Sequence, residues 1–140
     1  MDAGTGYTHT VTVTAANVSD IDQMVDLIRD DDEVVYADAG YVGIDKRQEV
    51  TRDDHLSTVE FRVAQRKSRV KTLPVFDQRL ESRQASVRSK VEHAFLVLKR
   101  DFGFAKTRYR GMDKNLNRLL VGFASVNWVM RGRAVRLAGL

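Results

Sequence analysis

Every second residue across 8–14 is a threonine, with Val11 and Val13 on the other side. A period of two predicts a half-buried strand. Ahead of it, Asp2, Gly4 and Gly6 suit a hairpin turn. Almost nothing precedes that turn, so the chain is expected to begin inside a supersecondary unit. Ser19 or Asp20 then offers an N-cap, and Ile21, Met24, Val25 and Ile28 recur at helical spacing. The run EVVYADAGY follows, β-branched and aromatic; it predicts a strand ending at Asp38 and closed by Gly40. Strand–helix–strand order implies an α/β layer architecture.

The stretch GIDKRQEV predicts a short helix, and STVEFRVAQ, alternating again, another strand. The single proline, Pro74, lies in a basic connector. A long helix is predicted from about 78 to 102, stopped by Gly103. The loop FAKTRYRGMDKN leads to a last helix over about 113–137. There Leu116, Leu119, Leu120, Phe123, Val126 and Met130 form an apolar stripe. Trp128 and the phenylalanine of that helix read as core, not as a base-stacking platform. No internal repeat or low-complexity tract interrupts the pattern, and 140 residues suggest one domain, 1–140.

Composition narrows the classes. With 43% hydrophobic and 30% charged residues the chain is no disordered tail. It has no cysteine, hence no disulfide framework and no thiolate metal site. Its amino-terminal residues do not read as a signal peptide, and no apolar run is long enough to span a bilayer; the expected location is cytoplasmic. The net charge of +4 hides an asymmetry. The segment DIDQMVDLIRDDDEVVYADAG is acidic, whereas from Arg62 onward lysine and arginine dominate. A basic half favours an anionic partner, most plausibly nucleic acid, through phosphate contacts and counterion release; a merely solvated basic surface is the alternative.

Two places invite chemistry. Asp38 ends a predicted buried strand beside a glycine-containing turn, at the sheet edge where α/β proteins bind ligands; a carboxylate that only caps the turn is the plainer reading. Arg88, Glu92 and Lys99 fall at about 0°, 40° and 20° round the long helix, one narrow stripe. A glutamate so placed could join a second carboxylate around a divalent cation, and two such ions can clamp a phosphoryl transfer. Arg88 and Lys99 would then hold backbone phosphates. The plainer reading makes Arg88 and Glu92 an exposed i,i+4 pair worth ~0.3–0.5 kcal/mol. His9, His55 and His93 are scattered and form no spaced metal motif.

VVYADAGY and VRSKVEHAFLVLKRDFGFAKTRYRGMDKN together resemble the DDE transposases of bacterial insertion sequences, enzymes with a ribonuclease-H-like core. Ala37, Asp38, Ala39, Gly40 and Tyr41 match the context of that family's second catalytic Asp. Arg88, Glu92 and Lys99 match three of four positions in its Tyr-x2-Arg-x3-Glu-x6-Lys signature. The opening MDAGTGYTHTVTVTAANVSD resembles the family's hairpin and following helix start, so the resemblance covers nearly the whole chain. It implies a ribonuclease-H-like α/β fold with a carboxy-terminal helical extension. In that fold 1–65 carries Asp38, 78–103 is the third-acid helix and 113–137 the last helix. It implies DNA transposition by hydrolysis of a phosphodiester and attack of the freed 3′ hydroxyl on target DNA, with Asp38 and Glu92 as catalytic ligands of two Mg2+ ions. Arg88, Lys99, Lys106, Arg108 and Arg110 would contact DNA. The implied partners are element ends and target DNA, with a homodimer or a complementing amino-terminal transposase chain, in the cytoplasm with the nucleoid.

There are two departures from the family pattern. Ala85 stands at the signature's Tyr position. The family's first catalytic Asp lies on a strand before the hairpin, and no such strand is present; Asp2 matches the turn, and Asp53 and Asp54 match nothing. The expectation is a fold incomplete at its amino terminus and little or no cleavage by this chain alone. It would be a partial copy or frameshift product, or else a non-catalytic DNA-binding remnant.

Overall fold

The computed structural model describes residues 1–138, the Lys67 side chain excepted. They divide into two compact units: Ala16–Ser89, and Met1–Ala15 with Lys90–Leu140.

In the first unit, the two β-rich runs pair in parallel as β1 (Val34–Ala37) and β2 (Glu60–Val63), with Val34 opposite Glu60 and Ala37 opposite Val63. Parallel neighbours need a crossover, here built of 3-10 turns at Ala39–Tyr41, Ile44–Lys46 and Leu56–Thr58 and the short helix α1 (Gln48–Thr51). The predicted short helix is thus present, split between a 3-10 turn and α1. The predicted acidic helix is instead two 3-10 turns, Asp20–Gln23 and Val25–Leu27. Aspartates are poor interior helix formers, and Ile28 turns extended, ending the run. The apolar positions still face inward. Met24 joins Ala37, Ile44, Val50 and Leu56 in a buried cluster, with Ile21, Val25 and Ile28 packed against it. Across the strands Arg62 donates to the Tyr36 hydroxyl at 2.8 Å and pairs with Glu60 on its own strand.

The helix α2 (Lys67–Val70) precedes the long helix α3 (Val75–Phe102), which starts directly after Pro74. Proline is well suited to a helix start because its missing N–H is not needed there. The helix ends as predicted: Gly103 adopts φ +62°, and the Phe104 N–H reaches back to the Leu98 carbonyl at 3.3 Å, a left-handed glycine cap.

In the second unit the last helix, α4 (Met112–Leu137), lies within one residue of its predicted bounds. Phe123 and Val126 of its predicted stripe pack with Ala94, Val97 and Leu98 of α3 into the unit's core, joined by Leu119 and Met130. Phe95 meets Phe123 edge to face at 5.1 Å. Gly122 allows the approach: a Cβ there would lie 2.6 Å from Leu98 Cδ1.

Two expectations are corrected. Residues 8–14 are in no strand; the described strands are β1 and β2 alone, and both belong to the other unit. Alternation finds a half-buried segment, and Val11 does pack on the core, but a ladder also needs a neighbouring strand. Asn127 of α4 takes that place: Thr8 N–H donates to its Oδ1 at 2.9 Å, and its Nδ2 donates to Thr8 O at 2.8 Å. Trp128, expected in the core, is 82% exposed.

Candidate functional site

Asp38 follows β1 directly, and its backbone remains extended. Its carboxylate accepts from the Gly40 N–H at 2.7 Å, and its carbonyl accepts from the Tyr41 N–H at 3.2 Å. The side chain therefore caps the turn Ala39–Tyr41 while staying exposed. A Cβ at Gly40 would stand 3.0 Å from Asp38 Oδ1, so a side chain there would make the carboxylate shift by a few tenths of an ångström. The Tyr41 phenol is pushed above its ordinary pKa by burial, then by the negative charges of Asp20 and Asp38.

On α3, Arg88 is largely covered and pairs with Glu81, two turns earlier, at 3.6 Å. Glu81 also accepts from the Gln65 N–H at 3.3 Å. The other guanidinium nitrogen of Arg88, NH1, is buried without a hydrogen-bond partner among the described residues. The surface-pair alternative for Arg88 and Glu92 is thus not what forms. Glu92 and Lys99 are exposed and in no ion pair among the described residues. Glu81 was not singled out from sequence; its i,i+7 spacing to Arg88 is the signal that would have found it.

Lys106, Arg108 and Arg110 are exposed on the loop between α3 and α4. The loop is held from α4. Asn115, the buried polar residue of that helix, donates to the carbonyls of Tyr109 and Gly111, both at 2.7 Å, and accepts from the Tyr109 N–H at 3.3 Å. Arg118 donates to the Lys106 carbonyl at 3.1 Å and lies over the Phe104 ring at 4.7 Å. The amino-terminal turn is fixed in a similar way. Asp2 accepts from the Thr5 N–H and hydroxyl, Gly6 N–H bonds the Asp2 carbonyl at 2.9 Å, and Lys90 Nζ donates to the carbonyls of Ala3 and Gly4. The predicted turn at Asp2, Gly4 and Gly6 is therefore present, with Gly6 at φ +75°.

Asp38 belongs to one unit and Glu92 to the other. Among the described residues no group of three or more His, Asp or Glu side chains is gathered so as to hold a metal ion. Two Mg2+ ions would need further oxygen ligands beside the carboxylates of Asp38 and Glu92. An open groove of about 660 Å3 in the first unit has Val42, Phe61 and Val63 among its lining and Arg66 and Arg69 at its basic side, and none of the sequence-selected site residues lines it.

The family model of the transposase DDE domain matches residues 1–128. The chain belongs to the transposase DDE domain family. No solved structure matches it. No helix among the described residues is long and apolar enough to cross a membrane.

Proposed function

We propose that this chain serves DNA transposition as the DNA-engaging part of an insertion-sequence transposase, and that it cuts no DNA alone. The family match over 1–128 carries the reading. That match runs through both compact units, which supports treating 1–140 as one catalytic domain of ribonuclease-H-like type. Asp38 and Glu92 are its second and third acidic residues. Arg88, Lys99, Lys106, Arg108 and Arg110 meet the phosphate backbone. On this reading a second transposase chain, in a homodimer or a complementing pair, supplies the carboxylate needed to hold Mg2+, and the protein works in the cytoplasm at the nucleoid.

The test is binding of a fluorescein-labelled DNA duplex by the full chain across a salt series. Affinity should fall steeply as salt rises, and Arg88→Ala, Lys99→Ala and Arg108→Ala should each weaken it. Absence of salt-dependent binding would sink the proposal. With Mg2+ added, a supercoiled plasmid should stay intact. Nicking that Glu92→Gln abolishes would show instead that the chain is a nuclease by itself.

A further inference from the structure

Trp128 is the single tryptophan of the chain, and on α4 it stands 82% exposed. Val121 and Val135, two turns to either side, extend the same face and are 69% and 40% exposed. The opposite face carries Phe123 and Val126 into the core. The helix therefore has a second apolar stripe that nothing in the described residues covers.

Its surroundings favour a flat, anionic ligand. The residues one turn from Trp128 on this face include Ala124, Ser125 and Gly132, too small to shield an indole ring. A Cβ built at Gly132 would meet nothing within 4 Å. After Asp113 the helix holds no carboxylate but five cations: Lys114, Arg118, Arg131, Arg133 and Arg136. Arg118 and Arg133 are engaged, with Phe104 and Asp101. Lys114, Arg131 and Arg136 are in no ion pair among the described residues. Arg131 and Lys114 lie within about 60° of Trp128 round the helix. Such a charge pattern repels a second copy of itself and attracts a polyanion.

We infer that this stripe is a docking site for single-stranded DNA, with an unpaired base stacked on Trp128, a flanking phosphate held by Arg131, and a phosphate several nucleotides along the strand held by Lys114, about 21 Å away along the helix. Unpaired bases are favoured over duplex because only they can offer a free ring face. The inference rests on the DNA-binding reading above and goes beyond it by naming a separate surface and a strand state.

Trp128 reports its own occupancy. Titrating the full chain with a 16-nucleotide oligothymidylate should quench its emission in step with the anisotropy rise of the labelled strand. Trp128→Ala should weaken that strand by about 5- to 150-fold, the range for loss of one stacked base, and Trp128→Phe should recover most of the loss. Duplex affinity should change less than twofold, and both variants should keep the wild-type far-ultraviolet circular dichroism, as expected for an exposed side chain. Strand binding with unaltered emission, or equal binding by Trp128→Ala, overturns the inference and leaves the DNA-binding reading intact. So does a concentration-dependent dimer that Trp128→Ala disperses with DNA affinity unchanged, which would assign the stripe to a second copy. Failure to bind either DNA form overturns both.

Discussion

The carboxamide of Asn127 satisfies both backbone polar groups of Thr8, 119 positions earlier in the chain. One side chain thus does for this part of the amino-terminal segment what a neighbouring strand would do. Asn127→Ala should leave a half-buried N–H and C=O unpaired and lower the unfolding free energy by about 1–3 kcal/mol. Asn127→Asp keeps an acceptor for the N–H but turns a second oxygen toward the Thr8 carbonyl, so it should rescue little. Urea unfolding of the three proteins checks both expectations.

The loop bearing Lys106, Arg108 and Arg110 depends on Asn115. Asn115→Ala should cost stability in the same range, ~1–3 kcal/mol, and should also weaken duplex DNA binding without removing any cation. Anisotropy titration separates this from Lys106→Ala, which should weaken DNA binding and leave urea stability within about 0.5 kcal/mol. Equal stability of Asn115→Ala and wild type would mean the loop does not need the anchor.

Gly122→Ala sets two effects against each other. Alanine favours helix by about 1 kcal/mol, but its Cβ would meet Leu98 Cδ1 at 2.6 Å inside the core, and overpacking costs about 1–3 kcal/mol. The clash should win, giving net destabilisation. In a Leu98→Ala background the obstructing atom is gone, so Gly122→Ala should there be neutral or stabilising. The sign change in this double-mutant cycle is the diagnostic outcome.

Acid should loosen the amino-terminal turn. The Asp2 carboxyl is held below its ordinary value of 3.8, chiefly by its bond from the Thr5 hydroxyl, then by that from the Thr5 backbone N–H. A carboxyl with a lowered folded-state pKa stabilises the fold above its unfolded value, and that contribution disappears as pH falls through the folded value. The loss therefore lies below about pH 3.8. Denaturant midpoints measured from pH 2 to 5 should fall less steeply for Asp2→Asn than for wild type. Parallel curves would mean that Asp2 titrates alike in both states.

These residues also show what sequence can and cannot convey. The period of α4, the glycine stop of α3, the β-branched runs of β1 and β2, and Asp38 at the end of β1 are all local patterns, and local patterns were enough to find them. Partners are not local. Nothing in the alternation over residues 8–14 says that the neighbour is Asn127 and not a strand. The spacing of Arg88 and Glu92 does not reveal that Arg88 turns to Glu81 instead. The stripe of α4 rightly turned Phe123 and Val126 inward, whereas Trp128 lies on the opposite face and only its residue type argued for burial.

The parallel pairing of β1 with β2 has a kinetic consequence. Tyr36 and Arg62, facing each other across it, are 26 positions apart in sequence. No tight turn can nucleate such a ladder, so the entropy of closing that loop is spent before any interstrand bond forms. The intervening Ile44, Val50 and Leu56 belong to the same buried cluster as Ala37, and their collapse shortens the search. Folding of this unit should therefore slow when Ile44 or Val50 is truncated, whereas Arg62→Ala should mainly speed unfolding, a contrast that the two limbs of a chevron plot would display.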